Sequence, residues 1–158
     1  MGFSNKKRFS YWTRAAMIAA IYALLTVIFA PISYGMIQVR ISEMLMVLPF
    51  FTGAAVPGLF VGCLIANIYG GYGIIDIVFG SIATLLSAYL VTKIKQRWFV
   101  PLPPVIINAL IVGAVLHWVL KLPFYLTVAW VGVGQVIACY GLGLPLLMVL
   151  EKREDIFR

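Results

Sequence analysis

The sequence predicts an all-α integral membrane protein with six transmembrane helices and both termini on the cytoplasmic side. Three observations lead there. Of 158 residues, 63% are hydrophobic and 11% are charged, against roughly 45–50% and about 25% in a soluble domain. Pro, Gly and charge divide the apolar sequence into six pieces, a number compatible with about 20 residues per bilayer crossing plus short loops. Ten of the twelve Lys and Arg residues fall at three places that share one side of a six-span chain, the side that the positive-inside rule assigns to the cytoplasm. The whole chain, residues 1–158, is then one transmembrane domain. No length remains for a nucleotide-binding or catalytic module, and the net charge of +7 is expected to orient the chain in the membrane, not to bind nucleic acid.

The first helix is expected over residues 12–30, behind Lys6, Lys7, Arg8 and Arg14 and ending before Pro31. Its length and the spans after it favour a retained helix over a cleaved signal segment. The second, residues 41–51, is short and follows a polar stretch over residues 33–40. Gly53, Pro57 and Gly58 mark its separation from the third, residues 56–69. These two short pieces leave open a four-span chain with a re-entrant pair. The turn Gly70-Gly71-Tyr72-Gly73 leads to the fourth helix, residues 74–92, closed by Lys93, Lys95 and Arg97. Pro101, Pro103 and Pro104 introduce the fifth, residues 105–120. Lys121-Leu122-Pro123 introduces the sixth, residues 124–150, before a charged tail with Lys152, Arg153 and Arg158. Arg40 and Lys121 are left on the outer side.

A charge within hydrocarbon costs at least about 2.5–3.5 kcal/mol, so polar residues in or at the mouth of the spans are functional candidates. Of five acids, only Glu43 and Asp76 lie outside the C-terminal tail. Both fall at outer helix ends, with Arg40, Asn67, Tyr72, His117, Trp130 and Gln135 in the same outer half. Carboxylates, amides and a histidine supply directed hydrogen bonds while Tyr and Trp supply stacking faces, so this asymmetry points to an outward pocket for a small polar, aromatic ligand. Plainer roles stay open for each. Arg40 and Glu43, three residues apart, can simply pair; Asp76 can cap the fourth helix; His117 can be solvated, and Tyr72 and Trp130 can be interfacial anchors. Asn108 lies nine residues, about half a turn in helical angle, from His117. His117 is preferred for the pocket, and Asn108 is left open.

The first helix carries a different pattern. Ala15, Ala19 and Ala23 repeat every four residues, with Ala16 and Ala20 as a parallel row, which gives a face that another helix backbone can approach. A docking surface is preferred, with packing inside the bundle as the alternative. Cys63 and Cys139 lie in apolar runs without His or Cys at ligand spacing, so neither disulfide nor metal is expected. No phosphate loop, serine nucleophile turn, zinc motif or cysteine pair occurs. The chain is expected to be no enzyme and to hold no cofactor, and any energised transport needs a partner or an ion gradient.

Val39-Arg40-Ile41-Ser42-Glu43 with Val47-Leu48-Pro49-Phe50-Phe51, the run from Pro57 to Cys63, Ala66-Asn67, and the run from Asp76 to Thr84 resemble the QueT family of queuosine-precursor transporters. The resemblance is dense from Arg40 to Ala88 and looser elsewhere. It implies the substrate-binding S-component of an energy-coupling factor (ECF) transporter in a bacterial plasma membrane. Such a component docks on one transmembrane coupling protein and two ATPase subunits, and binds its ligand on the outer side. In that group an alanine-every-four motif on the first helix serves docking, which Ala15, Ala19 and Ala23 match. A deazaguanine ring presents adjacent N–H donors that Asp76 or Glu43 can accept, and a ring to stack on Tyr72 or Trp130. The same fold for riboflavin, thiamin or another vitamin is the nearest alternative. An autonomous ion-coupled carrier is the more distant one.

Overall fold

The structure is a computed structural model describing residues 2–35 and 37–153, with side chains from residue 10 onward. The side chains of Lys6, Lys7 and Arg8, and the whole of Arg158, lie outside the described residues. Every regular element among those described is helical. α1 (Gly2–Ile28) is followed by the short α2 (Ala30–Ser33), which places Pro31 in its first turn, where the missing N–H costs no helical bond. After an irregular stretch, residues 41–50 form a 3-10 helix, Ile41–Phe50. Then come α3 (Ala55–Gly70), α4 (Ile74–Val91), α5 (Leu102–Leu120) and α6 (Phe124–Gln135), which continues through a π-helical segment, Val136–Gly143, into α7 (Leu144–Glu151).

Four segments are long and apolar enough to cross a bilayer: Ser10–Ile28, Ile74–Val91, Arg97–Leu120 and Phe124–Glu151. The 16 residues of α3 extend about 24 Å at 1.5 Å per residue. The ten residues of the 3-10 helix extend about 20 Å at about 2 Å per residue. Both fall short of the hydrocarbon thickness of about 30 Å. They are the two pieces whose length left the span count open.

Successive helices α1, α3, α4, α5 and α6 pack each on the next, while the 3-10 helix runs among α1, α4 and the π segment. Ser42, Glu43, Leu45, Met46, Val47 and Pro49 of this element are buried. The 3-10 helix is therefore the inner element that the others surround. Tyr22, Met46, Leu59, Cys63, Ala66 and Ala88 form one core cluster beside it; Val47, Val91, Val100 and Leu147 form another. The turn between α3 and α4 needs its glycines, because Gly71 (φ 74°) and Gly73 (φ 92°) occupy the region that side chains disfavour.

The contact between α1 and α3 corrects the expectation for the alanine stripe. Ala15 and Ala19 are buried against Gly58 and Gly62, where an added Cβ would stand 2.7 Å from the Ala15 carbonyl oxygen and 2.8 Å from that of Ala19. Alanine opposite glycine lets two helix backbones meet closely, and here the partner helix belongs to the same chain. Ala23 is half-buried. The parallel row, Ala16 and Ala20, is exposed and is the small-residue face that α1 leaves open.

Candidate functional site

Arg40 and Glu43 begin the inner 3-10 helix, and their side chains diverge. Arg40 stands just before the helix in an extended conformation (φ −84°, ψ 101°), so it does not share a side-chain row with Glu43. The expected pairing of the two is absent. Arg40 instead reaches α4, where Nη2 lies 3.9 Å from Asp76 Oδ2. Its Nη1 lies 3.9 Å from Cys63 Sγ, and its guanidinium stands 5.6 Å from the centre of the Tyr34 ring. Glu43 accepts from two other helices, with Tyr22 Oη donating to Oε1 at 2.5 Å and Asn108 Nδ2 to Oε2 at 3.2 Å.

Asp76 is in the first turn of α4 and makes no capping hydrogen bond; its side chain is buried, facing Arg40. The capping role is thereby replaced by an ion pair. Asn67 on α3 donates to the Asp76 carbonyl at 3.3 Å and to Cys63 Sγ at 3.5 Å. Gly80 makes that possible, since a Cβ there would lie 2.7 Å from Asn67 Nδ2. Gln135, where α6 gives way to the π segment, accepts from Cys139 Sγ at 3.4 Å. Cys139 also lies 3.6 Å from the Glu43 carbonyl oxygen, tying the last long helix to the inner one.

These groups enclose a cavity of about 200 Å³ lined by Gln38, Arg40, Glu43, Gly80, Thr84, Asn108, Val112 and Gln135. Its walls are too close for a water-sized sphere to fit between them. Several of its buried hydrogen-bonding atoms have no partner: Gln38 Nε2, Arg40 Nε and Nη2, and Asn108 Oδ1. Orphaned polar atoms are costly in a protein interior and are normally satisfied. Here they converge on one space, with donors from Gln38 and Arg40 and acceptors from Asn108 and Glu43. A larger apolar groove of about 470 Å³, lined by Ile75, Phe79, Leu110, Ile111, Ala114, Val115 and Trp118, lacks such a converging set.

Of the residues selected from sequence, Arg40, Glu43, Asn67, Asp76 and Gln135 come together in this buried group. Tyr72 stands at its periphery, where its hydroxyl donates to the Tyr34 carbonyl oxygen and its ring packs on Val112, Leu116 and Val131. Burial raises the pKa of both Tyr34 and Tyr72 above the ordinary phenol value. His117 and Trp130 are not part of the cavity lining. His117 Nδ1 is hydrogen-bonded to the Leu122 carbonyl oxygen, closing the turn after α5. The half-turn separating it from Asn108 holds, but Asn108 is the one aimed at Glu43. Sequence reasoning missed Tyr22, Gln38 and Thr84. Tyr22 was discoverable as a hydroxyl in an otherwise apolar span, and Gln38 by its place two residues before Arg40.

The profile of the QueT transporter family matches residues 12–152. A relative from Lactococcus lactis subsp. cremoris (strain MG1363), described as queuosine precursor transporter QueT, is 29% identical over 159 residues, covering 90% of this chain and 93% of the relative. No solved structure matches. The match runs from α1 into the end of α7 and takes in every helix that contributes to the buried polar group. With its apolar helices of membrane-spanning length, the chain belongs to the QueT transporter family of membrane transporters.

Proposed function

We propose that the chain is the substrate-binding S-component of an ECF-type importer. It binds a queuosine precursor, a deazaguanine base or queuine, in the cavity between Arg40, Glu43, Asn108 and Gln135. The single observation that supports this most is the convergence of unpartnered donors and acceptors in one closed space. A deazaguanine base carries a carbonyl oxygen, a ring N–H and an exocyclic amine on its rim, which complement Arg40 and Gln38 donors and Glu43 and Asn108 acceptors. Asp76 then holds Arg40 in place from behind, while the ligand meets Glu43.

The chain crosses a bacterial plasma membrane six times in this reading, with the 3-10 helix and α3 completing the four longer spans and both ends inside. Thiol labelling from outside should modify Lys121→Cys and spare Lys95→Cys; the reverse pattern overturns the orientation. The sequence contains no phosphate-binding loop, which favours docking on a coupling protein with two ATPase subunits. The docking face is the open side of α1 around Ala16 and Ala20, since Ala15 and Ala19 are engaged with α3.

Mass spectrometry of the purified protein, with calorimetry on candidate bases, tests the ligand. A bound deazaguanine is expected; a flavin or thiamin in its place overturns the substrate class. In the same preparation, Ala20→Trp should retain the base and lose ATP-driven uptake with the coupling module present. Full uptake by Ala20→Trp would remove the docking face from α1.

A further inference from the structure

We propose that the cavity is built for a ligand carrying a protonated amine, and that Glu43 is the group that takes the positive charge. This rests on the cavity being the ligand site, as proposed above. Among the described residues, the buried charged side chains are Arg40, Glu43 and Asp76. One guanidinium faces two carboxylates. Arg40 pairs with Asp76, and Glu43 has no ion pair among the described residues. Were Arg40 to turn toward Glu43, Asp76 would be left instead, so the buried group is short of one cation in either arrangement.

Its neighbours do not supply that cation. Tyr22 and Asn108 give Glu43 one neutral hydrogen bond to each oxygen, which favours the carboxylate form and leaves each oxygen with further acceptor capacity. Burying a charge without a partner is costly, so the closed cavity lacks a component that enters with the ligand. The described residues contain no group of three His, Cys, Asp or Glu able to hold a metal ion. An ammonium fits the acceptors present. One N–H can reach Glu43 and another the orphaned Asn108 Oδ1, which lies next to Glu43 because the same amide donates to it. The unpartnered donors, Gln38 Nε2 and Arg40 Nε and Nη2, then face the ligand's neutral acceptors. A ligand cationic at one end and acceptor-bearing at the other satisfies both sets at once.

Two probes separate this from a neutral contact at Glu43. 7-Aminomethyl-7-deazaguanine is cationic at neutral pH, whereas 7-cyano-7-deazaguanine has the same ring and no ammonium. Calorimetry on the wild-type protein in sodium-free buffer should show the aminomethyl base binding about ten- to a hundredfold tighter, the range of one charge-assisted hydrogen bond. Glu43→Gln keeps the shape and should remove that preference, changing the affinity for the cyano base by less than about threefold. Equal wild-type affinity for the two bases overturns the proposal while leaving the ligand class standing, and this arm does not depend on the variant folding. Equal losses for both bases in Glu43→Gln also overturn it, because the carboxylate would then read the ring edge. A cyano base that gains the missing affinity on addition of sodium makes an inorganic ion the counter-charge, which equally overturns it. Failure of both bases to bind overturns the ligand class itself, and this inference with it.

Discussion

Arg40→Met is expected to cost about 3–5 kcal/mol of stability and to abolish ligand binding, the largest effect of any single side-chain change in the site. Removing one member of a buried ion pair leaves the other charge without compensation in an interior that cannot solvate it. Asp76 is fully buried, and both its carboxylate oxygens lack hydrogen-bond partners, so it depends on Arg40 more than Glu43 does. The contrast is Arg40→Met combined with Asp76→Leu. Replacing both members of a buried pair by apolar side chains is often neutral or stabilising, so the double variant should recover most of the thermal stability that the single one loses. Ligand binding should not return, because the donors at Arg40 are gone. Thermal unfolding in detergent and calorimetry, run on the same three proteins, give both readouts. A double variant as unstable as Arg40→Met would show that Arg40 acts mainly through Cys63 and Tyr34 and not through Asp76.

Gly134→Ala should be the most disruptive one-methyl change in the chain. A Cβ at this position on α6 would collide with the Gln38 carbonyl oxygen and stand 2.7 Å from its carbon. Both are backbone atoms and cannot swing aside. The helix and the segment leading to Arg40 must separate, which costs about 1–3 kcal/mol for overpacking. It also moves Gln38 and Gln135, on opposite sides of that contact, away from each other. Lower thermal stability and weakened ligand affinity are both expected. Gly141→Ala is the control, since a Cβ there meets nothing within 4 Å; it should change stability by no more than about 0.5 kcal/mol. Equal behaviour of the two variants would mean that the α6 contact with Gln38 does not hold the cavity wall.

The sequence by itself determined the solvent, the class and the family. Composition alone places the chain in a membrane, because a chain with so few charges cannot cover itself in water. The scarcity of acids drew attention to Glu43 and Asp76, and Pro, Gly and basic residues marked the helix ends to within a few positions. Four of the six expected spans coincide with helices of spanning length. The two short pieces stayed ambiguous because hydropathy measures length, and the inner helix, Ile41–Phe50, is apolar for a different reason: protein surrounds it on several sides.

Only the tertiary structure decided who pairs with whom. Sequence spacing offered Arg40 and Glu43 to each other, yet an extended backbone at Arg40 sends its side chain to Asp76, 36 residues away. Helical angle separated Asn108 from His117 without saying which one faces inward; the packing of α5 on both α4 and α6 turns Asn108 to Glu43. The alanine rows of α1 offered two adjacent faces, and the glycines of α3 took the one carrying Ala15 and Ala19. In each case the sequence lists groups able to interact, whereas the choice among them depends on the relative rotation of helices, which is fixed by close contacts between residues far apart in the chain.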